Sequence, residues 1–476
     1  MKKTLSIIMA LCMVLSVCFF SVSAAEATVG SVATGYTPAE GAIAITDAAG
    51  FAAMVADGNY YLANDISISS TYENAFSGTF DGCGRTIPVS APMFKEFNGT
   101  IKNLVLKGSI DGGDKSAAVA QVSVEGMTAS NITSNVDINA NFYAASIVCE
   151  ATSVDNVSTF TDIINNGEIT VESRKTKPRA GGIGAIINNG IFTNCINNAD
   201  ILCTGSTSVA GGICARPALK GTKSYGDFYY CVNNGDISAN DTSDYKSEAG
   251  GICGYLGNDN NKAVYNIWGC VNTGDISATL RVGGIAAYVY AKKNYAKIDL
   301  QFCINTGNIT YGHKNKSSSS YGSGIIAYAN STVNIIANNI DYGTINYVGP
   351  DDSEWNQAFV YCSSGITSKA ANNFILNYSS YPYYSYAVKE ENETQRILAE
   401  GNDYTEALVL DDLHSGDLVK TINDFADSKP YSAVDCRFIH TGNLPVIKEN
   451  YTWTYTNGRY YYRPATMAVN GAYTYT

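Results

Sequence analysis

Histidine is almost missing from this chain: His313, His414 and His440 are the three in 476 residues. Metal and nucleophile chemistry built on imidazole therefore has little to draw on. No His-Glu-x-x-His, Gly-x-Ser-x-Gly or Cys-x-x-Cys pattern occurs, which removes the commonest zinc peptidase, serine hydrolase and zinc-site signatures. Charge is scarce too, at 16% of residues, and the balance is acidic, with a formal net charge of −12. A nucleic-acid partner needs a basic field and is not expected. Past the first residues no apolar run is long enough to span a bilayer. The long Ala, Leu, Glu and Lys runs of helical repeats are absent as well. What is present is 45% hydrophobic residues, 44 Gly and 34 Tyr. That is too apolar for a disordered chain.

Lys2 and Lys3 precede an apolar run from Leu5 to Phe20, followed by Ser21-Val-Ser-Ala-Ala25. A basic start, a short apolar middle and small residues at the cut site read as a secretory signal peptide over residues 1–24. Losing Lys2 and Lys3 takes the formal charge from −12 to −14.

Internal repetition then decides the fold. Cys195-Ile-Asn-Asn-Ala-Asp-Ile201, Cys231-Val-Asn-Asn-Gly-Asp-Ile237, Cys270-Val-Asn-Thr-Gly-Asp-Ile276 and Cys303-Ile-Asn-Thr-Gly-Asn-Ile309 align directly. Weaker copies start at Leu104, Ile132, Ile163 and Asn339, and successive starts lie 28 to 39 residues apart. A second marker keeps step at Gly182-Ile183, Gly212-Ile213, Gly251-Ile252, Gly284-Ile285, Gly324-Ile325 and Gly365-Ile366. Two interleaved markers in constant order mean a solenoid. Apolar residues stand three before and one after the first position, as in Phe192 with Ile196 and Phe228 with Val232. That four-residue spacing suits a strand face or a helix, so it does not choose between them. β-branched bias with interspersed Asn and Gly favours strands. The expected fold is all-β: a parallel β-helix over residues 25–380, its rungs over roughly 60–380.

One rung cannot bury its inward side chains alone, so neighbouring rungs supply the core. Like residues should then pile up at about 4.8 Å intervals. Gly235, Gly274, Gly307 and Gly343 are expected to supply positive φ at a tight turn. Asn197, Asn233, Asn272 and Asn305 are expected to form an asparagine ladder bonding turn backbone and one another.

These markers resemble the GLUG-type repeats of bacterial surface proteins, and Phe76-Ser-Gly-Thr-Phe-Asp-Gly-Cys-Gly-Arg-Thr-Ile87 is similar to the segment that opens their β-helices. The resemblance covers roughly residues 45–380. It implies a right-handed parallel β-helix on an extracellular protein in a surface or adhesin context. The zinc peptidase domain of some relatives is not carried over.

Solenoid ends need covers. Thr46 or Asp47 caps a short helix expected before the first rung. Residues 381–448 read as a C-terminal cap with helices over 392–400 and 413–423, the second capped by Ser415. Residues 449–476 form a Tyr-rich tail whose strands alternate around Asn457-Gly458, a strong hairpin signal.

Candidate binding residues come from two patterns. Insertions over 215–229, 254–265 and 286–297 follow the Gly-Ile strand on three consecutive rungs and should project together. They carry Tyr225, Tyr229, Tyr255, Tyr265, Tyr288, Tyr290 and Lys293, with Arg216 and further lysines, as an aromatic, basic ridge for a glycan or an extracellular protein. Asp137, Glu168, Asp200, Asp236 and Asp275 form an outward carboxylate ladder, in the main a solvated face. Ca²⁺ is the one cofactor it could collect, with Asp200, Asp236 and Asp275 as ligands; otherwise no cofactor is expected. Asp351, Asp352, Glu354 and Trp355 are a weaker candidate group. Arg174, Arg179, Arg216 and Arg281 lie nearest the regular rungs but stand in no recognisable catalytic motif. The reading is an exported, non-catalytic interaction protein, secreted or surface-attached. A carbohydrate-active β-helix enzyme, lyase or glycoside hydrolase, is the alternative, and a structural spacer the third.

Of the 13 cysteines, Cys12 and Cys18 fall in the leader, leaving 11. Ile163, Ile132 and Leu104 replace Cys at its column, so the thiols act as small buried hydrophobes rather than bridges. Alkylation of the denatured mature chain, with and without reductant, should give the same mass; two or more bridges inside the rungs would refute this.

Overall fold

The computed structural model describes residues 35–219, 226–241, 246–258, 264–291, 297–313, 320–329, 335–349, 360–362, 369–371, 373–375, 386–390, 393–396, 414–428 and 436–464. The leader, Tyr225, Lys293, the group from Asp351 to Trp355, and the end of the tail lie outside these residues. The chain is a parallel β-helix. Three sheets of 24, 12 and 7 strands run along it, and strands follow one another around each rung. In a representative rung, Val209–Gly211 belongs to the small sheet and Cys214–Leu219 to the 12-stranded one. Gly226–Tyr229, Val232–Asn233 and Ile237–Asn240 belong to the large one.

The expected piles are present. Ile196, Val232, Val271, Ile304 and Ile340 are successive partners in parallel register. Inside the coil, the rings of Phe160, Phe192 and Phe228 stack at centroid distances of 4.8 and 4.9 Å. Ile267, Leu300 and Ile336 continue that column.

The asparagine ladder runs from Asn165 through Asn197, Asn233, Asn272 and Asn305. Each side-chain amide donates to the next Oδ1 at 2.7–2.8 Å and to a turn carbonyl two residues ahead at 2.7–3.0 Å. Fully buried amides linked this way satisfy one another and the turn backbone, apart from the Asn165 Oδ1 at the start of the ladder.

Two details differ from the sequence reading. Gly235, Gly274, Gly307 and Gly343 are not among the positive-φ residues. They are needed because a Cβ there would lie 1.8–2.0 Å from the carbonyl oxygen of the preceding rung. Positive φ falls instead on the residue before the Cys column: Asp162, Asn194, Tyr230, Gly269, Phe302 and Asn338, at 54–63°. That left-handed residue turns the chain, so Phe192 and Cys195 face the core while Ile196 faces outward. The four-residue spacing thus spans a turn rather than one strand face.

The outward stripe of Ile196, Val232, Val271, Ile304 and Ile340 is buried all the same, because the C-terminal segment lies on it. A helix over Gly416–Ser428, capped by Ser415, contributes Leu418, Val419 and Ile422. The hairpin of Tyr451–Thr456 and Arg459–Pro464 adds Tyr451, Trp453 and Tyr462. Its turn has Asn457 and Gly458 at φ 54° and 79°, as expected for Asn-Gly. Arg459 fastens the tip, donating to the carbonyls of Thr273 and Asn234 and pairing with Asp236 at 2.6 Å.

At the N-terminal end a helix over Ala48–Ala52, capped by Asp47, sets Phe51 edge-on against Tyr72, Phe80 and Phe94. Within the helix expected over 392–400, the described residues are extended instead. Glu393–Arg396 is a strand paired antiparallel with Tyr386–Glu390, because an open sheet edge offers hydrogen bonds that outweigh weak helix propensity. Ten of the 11 cysteines outside the leader are buried free thiols. Those of Cys195, Cys231, Cys270 and Cys303 donate to carbonyls one rung back at 3.4–3.5 Å.

The ladder ends on Asp341, which accepts from Asn305 at 2.9 Å and from the Gly343 amide. Burial pushes its carboxyl up to about 7. The folded state therefore keeps a proton that the unfolded chain has lost between about pH 4 and 7, and stability falls as pH rises through that window. Asp341→Asn should remove that slope, its amide reaching the Gly343 carbonyl as the other ladder amides reach theirs. At pH 8 it should gain at least about 1 kcal/mol, since one pKa unit is worth roughly 1.4 kcal/mol. Urea unfolding at pH 5 and 8 measures both; an unchanged slope would refute the assignment.

Candidate functional site

The Gly-Gly-Ile marker forms a sharp corner between the small sheet and the 12-stranded one. A Cβ at Gly181, Gly211, Gly250 or Gly283 would sit 2.0–2.2 Å from the carbonyl oxygen three residues on, so the corner closes only without side chains. Ala180, Ala210, Ala249 and Val282 point inward and join the core. The residues just before them point outward and stack as a column: Lys115, Tyr143, Arg179, Val209, Glu248, Arg281, Tyr321.

Seven residues further along each rung stands a second outward column. It reads Val122, Glu150, Ile186, Arg216, Tyr255, Tyr288, Tyr328. The two meet across the corner. The Arg281 guanidinium lies 3.9 Å from the Tyr288 ring and 4.8 Å from that of Tyr328. Tyr321 and Tyr328 are 4.7 Å apart, and Lys115 pairs with Glu150. The result is a furrow along the solenoid axis, seven rungs long, or about 29 Å at the interstrand spacing.

Its electrostatics are concentrated. Arg179 and Glu248 are each only 6% exposed. Arg179 donates through Nη1 to the carbonyls of Pro178 and Thr207 at 2.7 and 2.9 Å, and Arg281 pairs with Glu248. Burial pushes the Glu248 carboxyl up, while Arg281, Arg179 and Arg216 pull it back. Burial, then the Glu150 carboxylate, raises the Tyr143 phenol, against Arg179, Lys115 and Arg216. Six charged groups thus act on one another within a single trough.

Three residues of the expected ridge belong here. Tyr255, Tyr288 and Tyr290 cluster at ring distances of 5.0–6.4 Å, with Arg216 5.1 Å from the Tyr255 ring. Tyr265 is corrected: it is fully buried, and its hydroxyl donates to the Gly257 carbonyl at 2.8 Å, so it is a core residue. Tyr229 is on the large sheet, donating to Asp227 and packing against Trp268, away from the furrow.

The carboxylate ladder has a structural task. Asp200, Asp236 and Asp275 each accept the backbone N–H of the next rung at 2.8 Å. The Arg459 pair neutralises Asp236, and among the described residues no group of three or more His, Cys, Asp or Glu is placed to hold a metal. A second recess, a cleft of about 530 Å³, lies between the hairpin and the ladder, against Asp275, Asn308, Tyr455 and Arg459.

Sequence reasoning named Arg179, Arg216 and Arg281 without seeing that they meet, and missed Tyr143, Glu150 and Glu248. The available signal was the constant offset on each side of Gly-Gly-Ile.

No protein-family model matches the chain, and no curated protein matches it. A solved structure from Bacteroides ovatus, described as a provisionally assigned immunoglobulin A1 protease, shares 15% identity at a TM-score of 0.38. The match covers 86% of this chain and 92% of that one. An IgA1 protease shares 14% identity at a TM-score of 0.40, over 78% of this chain and 26% of the other, so this chain spans about a quarter of that protein. Overlap at this level places no residue of this chain in a known active site.

Removing one partner of a buried pair leaves the other uncompensated, at a cost of roughly 3 kcal/mol. Arg281→Met should lose about that much in urea unfolding at pH 8, and progressively less as the pH is lowered and the raised Glu248 carboxyl takes up a proton. Adding Glu248→Gln should restore most of it; no recovery would mean that Arg281 acts through packing alone.

Proposed function

We propose that this is an exported bacterial interaction module, secreted or surface-attached, that binds an extended glycan along the furrow. The observation that carries the reading is the pair of outward columns, seven residues apart in seven successive rungs. They gather arginine, glutamate and tyrosine where a solenoid flank would ordinarily be a solvated surface. Tyrosine faces offer broad contact at low entropic cost, and buried carboxylates and guanidiniums fix orientation. The leader from Lys2 to Ala25 supports export, and the repeat markers fit a GLUG-type surface protein. Among the described residues no helix is long and apolar enough to cross a membrane.

A second reading, a carbohydrate-active enzyme, is favoured by one observation. Glu248 is a buried carboxyl, raised by desolvation and flanked by arginines, which is how acid–base groups are tuned. Turnover separates the two: a lyase or hydrolase generates new chain ends, and a binding module does not.

Tyr255→Ala with Tyr288→Ala should weaken binding on a glycan array at least tenfold, with the thermal midpoint moving by only a few degrees. Binding unchanged in the double variant would sink the furrow reading.

A further inference from the structure

We infer that the furrow selects glycans bearing carboxylate or sulfate groups, and that Arg216 receives the acidic group. This rests on the furrow reading above and adds the class of ligand.

The argument is one of charge pairing. Four cations line the two columns, Lys115, Arg179, Arg216 and Arg281, against two carboxylates, Glu150 and Glu248. Lys115 pairs with Glu150, and Arg281 with Glu248. Arg179 is held by two carbonyls. Among the described residues Arg216 has no carboxylate within ion-pair distance. Its Nε is buried and meets no acceptor, and its guanidinium lies against the Tyr255 ring.

A guanidinium kept in place by an aromatic ring and left without an anion is a preformed fork for a planar or tetrahedral oxyanion. The surplus of two positive charges stands out on a chain whose formal net charge is −12. General attraction of polyanions by the chain as a whole is therefore opposed, and the trough runs against that balance.

The choice of a glycan over an acidic peptide also follows from the fold. Furrow strands use their backbone groups to join rungs, as between Glu248–Gly250 and Arg281–Gly283, so a peptide finds no open edge to extend. What the furrow offers is side-chain rings at successive rungs after Arg216: Tyr255, Tyr288, Tyr328. A sugar chain can lie along these faces with its acidic substituent on Arg216.

The test uses the mature chain against immobilised polygalacturonate, dextran sulfate, neutral dextran and poly-glutamate, by interferometry at moderate salt. At least one acidic polysaccharide should bind ten times more tightly than dextran, and carboxylate against sulfate identifies the oxyanion. Arg216→Gln should lose at least tenfold on that polymer, and Arg216→Lys less. Thermal midpoints establish that the variants fold; if Arg216→Gln does not, Arg216→Lys carries the comparison. Equal binding of dextran, or binding indifferent to Arg216, overturns the acidic selectivity while leaving the furrow reading intact. No binding to any polysaccharide overturns both. Arg216-dependent binding of poly-glutamate as tight as that of the acidic polysaccharides overturns the glycan class.

Discussion

Everything in this molecule depends on each rung returning the chain to the same place one interstrand spacing further on. The buried asparagine amides enforce that return. Each closes its own turn and bonds the next, so a rung shifted by one residue would leave two amides unsatisfied in a dry interior. The glycine column beside them removes the atoms that would hold successive turns apart. Core stacking of Phe160, Phe192 and Phe228 then follows from a register already set.

Much of this was legible because structural columns repeat their residue type. Asn197, Asn233, Asn272 and Asn305 announce a ladder since every rung needs the same bond at that point. Which way Ile196 or Val232 faces was not legible, because the reorienting left-handed residue is Asn194 in one rung, Tyr230 in the next and Phe302 in another. No composition signal marks a position held by context. The glycines misled for a related reason: Gly235 and Gly274 looked like turn residues with unusual torsions, but what they satisfy is proximity to a neighbouring carbonyl. The strand at Glu393–Arg396 shows tertiary pairing overriding local preference.

The furrow was hidden by the opposite property. Its columns do not repeat: Arg179, Val209, Glu248 and Arg281 occupy one line, and Ile186, Arg216, Tyr255 and Tyr288 the other. Variation within a column is what a site looks like on a repetitive scaffold, since chemistry needs different groups side by side. The outward apolar stripe is the second thing a repeat count could not reveal. It runs along the flank, and the C-terminal helix and hairpin lie there rather than over the last rung. That placement leaves the corner furrow uncovered by these elements.

Spacing between successive repeats drifts from 28 to 39 residues, yet the corner segment linking the two columns never changes length. Insertions are absorbed elsewhere on the circumference. A lineage could therefore rewrite what the trough recognises two point changes at a time, rung by rung, without touching the interior. What the trough recognises and what sets the register of the coil are carried on separate tracks of the same rung.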